Sequence, residues 1–247
     1  MKKILLISGH GAGDSGACAK IGGTTYKEAE QTIVMVKKIK KALGCYDVQV
    51  DLYATGKNAY EDLKSGKKID FVKYDYVLEV HFNSCVHDLT GDGKTTGTEI
   101  LLPTRYTQPD TSLEKDIVKR VAAVGFRNRG VKTQQLLVIN TASSQGTQAS
   151  LLEICFIDDK DDVKLYEKSK GMIAAAIAKA FVSKWKLKKI ATVTKKAALR
   201  KDKKVNPANR ICWIQANTRV TIVEEYEKWL KVKYNGETGY VVRAKTS

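Results

Sequence analysis

Residues 3–8, KILLIS, form a short apolar run behind two lysines, the pattern of a buried strand. A glycine-rich stretch follows. In 24–44, Ala29, Ile33, Val36, Ile39 and Leu43 then recur at helical spacing, with lysines on the opposite face and Gly44 as a stop. Residues 47–53, DVQVDLY, alternate as a half-exposed strand, and 75–82, DYVLEVHF, and 98–103, TEILLP, read as two more. Segment 110–124 opens with Asp110 as a cap and carries Leu113, Ile117, Val121 and Val124 along one face. The apolar runs at 136–140, LLVIN, and 150–156, SLLEICF, predict further strands, and 171–185 predicts a closing helix. Strands alternating with helices predict an α/β fold, a mostly parallel sheet flanked by helices.

The pattern changes after Trp185. Residues 186–204 are basic and poor in helical periodicity, and the remainder holds strand-like runs at 218–226, 228–236 and 238–243 with an Asn235-Gly236 turn signal. This predicts a small all-β barrel or sandwich over 187–247 behind an α/β domain over 1–186. Charge is unevenly divided. The whole chain of 247 residues carries a formal +16, and residues 187–247 hold 15 Lys/Arg against 5 Asp/Glu, so most of the excess belongs to the small domain. A polyanionic partner is implied, with nucleic acid, a membrane surface and an anionic wall polymer as candidates. No nucleic-acid recognition motif accompanies the charge. No stretch approaches the roughly 20 apolar residues of a membrane span. The amino-terminal apolar run is too short for a signal peptide, which predicts synthesis in the cytoplasm without an export signal. The five cysteines, Cys18, Cys45, Cys85, Cys155 and Cys212, lack paired spacing and read as mostly buried thiols.

Three histidines exist, His10, His81 and His87. His10 follows the first strand across a Ser8-Gly9 turn, and His81 ends another. Functional groups of an open α/β sheet gather beyond the carboxyl ends of its strands. Glu153 interrupts an apolar strand, where an ionised carboxylate is costly unless a metal or a catalytic hydrogen-bond network offsets it. Glu28 opens the first helix. One reading makes it a helix-dipole residue; another joins it to His10 and His81 as a zinc site with a fourth position left open, the pattern of a catalytic rather than a structural zinc. The stretch Gly13 to Gly16, GDSG, raises Ser15 as a nucleophile, but it lacks both the all-β setting of chymotrypsin-like proteases and the G-x-S-x-G elbow of α/β hydrolases.

The fragments LLISGHGAGDSGA, KEAEQTIVMV, VLEVHFNS, FRNRGVK and SLLEICFIDDKDD, in that order over about residues 3–183, resemble zinc-dependent N-acetylmuramoyl-L-alanine amidases of the Amidase_3 type, peptidoglycan hydrolases of bacteria and phage lysins. The resemblance implies one Zn2+ held by His10, Glu28 and His81, a catalytic Glu153, and a substrate-binding Asn83 in an H-x-N arrangement with His81. Thr32 stands where the family usually has Asn, and Cys155-Phe156 where it has Gly-Phe. Glu30 is a competing ligand that would point away around the helix. The tail, above all Trp229 to Val241, resembles a bacterial SH3-type cell-wall-binding domain, with Lys228 and Tyr240 at places usually held by Gly and Trp. The implied function is cleavage of the amide between N-acetylmuramic acid and L-alanine by a phage endolysin, made in the bacterial cytoplasm and reaching the wall after holin-type release. Its implied partners are peptidoglycan and anionic wall polymers, without nucleic acid. A zinc peptidase acting within the stem peptide and a non-catalytic wall-binding protein are the alternatives.

Overall fold

The computed structural model describes residues 1–11, 13–54, 57–104 and 110–247. They divide into two compact units, Met1–Gly44 with Val48–Trp185 and Cys45–Asp47 with Lys186–Ser247. The larger unit runs β1 (Lys2–Ser8), β2 (Cys18–Ile21), β3 (Thr24–Lys27), α1 (Glu28–Leu43), β4 (Val48–Leu52), α2 (Ala59–Lys64), β5 (Tyr76–Asn83), β6 (Thr98–Leu102), α3 (Ser112–Ala122), β7 (Asn128–Thr133), α4 (Leu137–Ser144), β8 (Gln148–Phe156) and α5 (Lys160–Trp185). Its sheet has the order β4-β1-β5-β8-β6-β7. All neighbours are parallel except β6 against β8.

The two-residue period of the strands decides which side chains can meet. Leu5, Ile7, Val77, Ala149 and Leu151 pack against Ala59 of α2 and Val138, Ile139 and Ala142 of α4. On the other face α1 and α3 pack on α5, and Tyr76 meets Phe181 edge-on with ring centroids 5.3 Å apart. Glu79, His81 and Glu153 share the phase of Val77 and Leu151, so they belong to the α4 side. Parallel pairing places His81 directly beside Glu153.

Several elements differ from the sequence reading. Residues 137–144 are helical rather than the strand expected at 136–140. The buried positions Val138, Ile139, Ala142 and Ser143 have helical spacing, and the Asn140 and Thr141 side chains donate back to the carbonyls of Leu136 and Leu137. Helix α5 starts at Lys160 instead of 171, because Asp159 caps it by accepting from the amides of Asp161 and Asp162. Residues 24–27 are the β3 arm of a hairpin, as Thr24, Thr25 and Tyr26 favour, and the helix begins at Glu28. Asp110 accepts from the Ser112 amide ahead of α3, whose cap residue is Thr111. Cys18, Cys45 and Cys85 are exposed, against the expectation of mostly buried thiols, while Cys155 is buried.

The smaller unit is a six-stranded antiparallel sheet of β9 (Ile190–Val193), β10 (Ala197–Arg200), β11 (Arg210–Ile214), β12 (Thr218–Glu225), β13 (Trp229–Tyr234) and β14 (Glu237–Val242), ordered β11-β10-β14-β13-β12-β9. Three of these strands lie before residue 218, in a region whose lysines hide the alternation of Ala191, Val193, Ala197 and Leu199 into the core. Asn235 and Gly236 both adopt positive φ, 48° and 86°, as a tight hairpin between β13 and β14 requires. Among the described residues no helix is long and apolar enough to cross a membrane.

Candidate metal centre and active site

Glu28 is the hub of the site. It is 3% exposed, and both of its oxygens are held. Oε1 accepts from the Phe82 amide at 3.0 Å and lies 2.8 Å from His81 Nδ1; Oε2 accepts from the Ala17 amide at 3.0 Å and lies 3.2 Å from His10 Nε2. The β2–β3 hairpin brings Ala17 there, because the Glu28 amide donates to the Ala17 carbonyl. One donor atom from each of His10, Glu28 and His81 falls within 4.8 Å of the others. Burial would raise the Glu28 pKa, but the two histidines hold it well below the ordinary carboxylate range.

Each histidine has a second carboxylate behind it. His10 has φ 63°, a left-handed conformation uncommon for a residue other than glycine. Its Nδ1 pairs with Asp14 Oδ2 at 2.7 Å. Asp14 is itself held by the Gly16 amide and by Asn58 Nδ2, while Asn58 Oδ1 caps α2. The bond to Glu28 raises the His10 pKa against partial burial. His81 Nε2 lies 3.2 Å from Glu79 Oε1, an ion-pair approach that falls short of a full hydrogen bond. Burial would lower the His81 pKa, but Glu28 and Glu79 together lift it well above its usual value.

Two glycines are required by contact rather than by conformation alone. A Cβ on Gly9 would lie well under 3.0 Å from three atoms of the His81 ring, and one on Gly16 would meet His10 and Glu28 Oε2. Thr32, at the position where Asn was expected, donates to the Gly9 carbonyl at 2.9 Å and so fixes the turn from α1.

Glu153 stands in register with His81 and Glu99 on the neighbouring strands. Its Oε2 is buried with no hydrogen-bond partner. Burial pushes its pKa up to about 8, opposed by His81 and reinforced by Glu28, Glu99 and Glu79. Asn83 lies on the same strand face but outside the three-donor cluster. Its Nδ2 donates to Glu99 Oε1, and its Oδ1 accepts from the Ser84 amide. Glu99 is also paired with Arg129 and Lys132.

The other candidates fall away from the cluster. Ser15 is exposed, and its hydroxyl is engaged with the Gly16 carbonyl and the Cys18 thiol rather than with a histidine. Glu30 points to solvent beside Lys27. The His87 side chain is 83% exposed. The sequence reading missed Asp14, Asn58 and Glu79. Spacing could have found two of them: Asp14 is four residues from His10, and Glu79 and His81 are two apart on one strand and so share a face.

A cleft of about 280 Å³ opens over the cluster, lined by His10, Glu79 and His81 on one side and by Tyr60, Leu136 and Leu137 on the other. The two imidazoles of the set line that cleft, and two histidines with one carboxylate are a donor set that fits a catalytic zinc better than a structural one. The donor chemistry also explains why two histidines and a carboxylate are packed together with their outer carboxylates, the arrangement that orients histidine ligands around a metal.

The chain is similar to known proteins in both of its units. Residues 4–183 match the family model described as N-acetylmuramoyl-L-alanine amidase, and residues 195–245 match that of the bacterial SH3 domain. The endolysin of Bacillus phage SPP1 is 33% identical over 172 residues, covering 68% of this chain and 59% of that protein. The probable autolysin PH of Staphylococcus aureus is 26% identical over 200 residues, covering 74% and 39% respectively. The chain thus spans about half the length of these relatives. The catalytic domain of CwlV, an N-acetylmuramoyl-L-alanine amidase from Bacillus (Paenibacillus) polymyxa, shares the fold with a TM-score of 0.58 at 22% identity, over 75% of this chain and 99% of that one.

Proposed function

The chain belongs to the N-acetylmuramoyl-L-alanine amidase family, and on that premise we propose that it is a zinc-dependent peptidoglycan hydrolase of the endolysin kind. It cleaves the amide between the lactyl group of N-acetylmuramic acid and the L-alanine of the stem peptide, reaching the wall when the membrane opens at lysis. Residues 1–186 act as the catalytic part and 187–247 as the wall-binding part. The observation that carries the reading is the His10–Glu28–His81 cluster beside a carboxylate, Glu153, that has a buried oxygen without a partner.

His10, Glu28 and His81 would hold the metal, with Asp14 and Glu79 orienting the two imidazoles from behind. When bound, zinc supplies a Lewis acid that polarises the scissile carbonyl and makes water more acidic. Burial favours the protonated form of Glu153, but a cation held beside it would favour the carboxylate, and it is the carboxylate that accepts the proton from the attacking water. It then returns a proton to the alanine nitrogen, because an amide anion is too poor a leaving group at neutral pH. Its freedom from any structural hydrogen bond at Oε2 suits both transfers. Asn83, held by Glu99 and Ser84, would contact substrate beyond the cluster.

The test is chemical identification of what appears when walls are digested. New amino termini that are alanine, no new reducing sugar, loss of activity with chelator and return with zinc are expected. A different new terminal residue would make the protein a stem peptidase, and wall binding without any release would make it a binder.

A further inference from the structure

In the smaller unit Trp213, on β11, is 44% exposed. Lys196 Nζ and the Arg210 guanidinium stand 4.9 and 4.7 Å from its ring centroid. Beside the ring runs a groove of about 150 Å³, lined also by Arg200, Val205 and Lys245, with Val205 74% exposed. Among the described residues none of these four cations pairs with a carboxylate. Arg200 donates to the Asn206 carbonyl and to Asn209 Oδ1, and Lys245 donates to the Lys196 carbonyl. Lys189 and Arg243 of the same unit, by contrast, are both taken up by Glu225. Among the described residues no acidic side chain lines the groove.

Like charges gathered around an exposed indole repel one another, and an anion relieves that repulsion. The part of the indole left exposed beside the two cations offers an apolar surface at the same place. The groove is smaller than the roughly 300 Å³ of an ordinary small-molecule pocket. Affinity therefore has to come from repetition along a polymer rather than from enclosure of one ligand. We propose that the Trp213 groove binds a wall polymer in which phosphodiesters alternate with polyol units, the phosphates meeting Lys196, Arg200, Arg210 and Lys245 and a polyol lying on the indole. The choice of a wall polymer over other polyphosphates rests on the wall-hydrolase reading above.

The full chain is titrated by calorimetry with soluble poly(glycerol phosphate) at several salt concentrations. Binding that weakens at least tenfold in Trp213→Ala is expected. In the double variant Lys196→Gln/Arg210→Gln the slope of log K against log salt should shrink by about 1.5, the loss of two phosphate contacts. Thermal melting shows whether each variant stays folded, and the surface double variant carries the test if Trp213→Ala does not. No binding to the polymer, or binding indifferent to both variants, overturns the proposal. So does equal affinity for single-stranded DNA of matched charge, which would make the groove a general polyanion site. Failure of the amidase reading shows separately, as no alanine released by the wild-type chain from a soluble muropeptide that contains no such polymer.

Discussion

Gly9→Ala isolates one contact in the site. Gly9 is not among the residues with positive φ, so an alanine backbone is tolerated and only the added methyl matters. That methyl would sit well under 3.0 Å from three His81 ring atoms, where ordinary contact begins near 3.4 Å. The turn cannot yield easily: the Gly9 amide donates to the Val80 carbonyl at 2.9 Å, and its own carbonyl accepts from Thr32 at 2.9 Å. The ring must therefore withdraw by about 1 Å, which breaks the 2.8 Å approach of His81 Nδ1 to Glu28. Losing the orientation of a metal-binding histidine costs about 10–100-fold in affinity, or about 1.4–2.8 kcal/mol. Overpacking adds about 1–3 kcal/mol to the instability of the metal-free fold. The control is Gly13→Ala, where φ is 91° and no atom lies within 4 Å of the new methyl. It should cost about 1–2 kcal/mol of backbone strain and leave zinc affinity alone. Chelator-competition titrations on both variants give the answer. Wild-type zinc affinity in Gly9→Ala, or equal losses in the two, would refute the account of how His81 is seated.

Further outcomes follow from the same geometry. Glu79→Gln should weaken zinc about 10–100-fold with the fold intact, and Glu79→Asp should recover part of it; chelator competition reads both, and unchanged affinity in Glu79→Gln would remove the residue from the site. Because neighbouring carboxylates raise the His10 and His81 pKa values, protons compete with zinc for both rings more strongly than for free imidazoles. Apparent zinc affinity should therefore fall as the pH is lowered, by up to about two decades per pH unit; a profile that does not change with pH would contradict this. Ser15→Ala should retain zinc and most wall-clearing activity, whereas complete loss with zinc retained would revive a serine nucleophile.

The parts of the fold that could be read in advance were those where one physical signal dominates. The parallel strands β1, β5 and β8 are buried on both faces, so they stand out as apolar runs, and the polar residues that interrupt or end them, His10, His81 and Glu153, become conspicuous. The run at Leu136 to Asn140 was ambiguous because a short apolar stretch fits strand and helix alike. The hydrogen bonds of Asn140 and Thr141 that decide it depend on the helix already existing. The first turns of α5 were concealed by the acidic run around Asp159, which looks like a loop until its capping role is seen. Asp14 was obscured by a motif that drew attention to its neighbour Ser15. Glu79 reads in the sequence as one more strand residue, although its phase matches His81. The requirement for Gly9 could not be read at all, since it arises from a ring 72 positions away in the chain.

The central claim is a division of labour in which His10, Glu28 and His81 hold the metal and Glu153 moves the proton. Zinc content and turnover of a soluble muropeptide, measured on the same sample of Glu153→Gln, test it most directly. The account expects one zinc per chain, an unchanged fold and a rate lowered about 10²–10⁴-fold. Zinc lost together with activity would make Glu153 a ligand, and activity retained with zinc would leave the reaction without the acid–base that this site is proposed to supply.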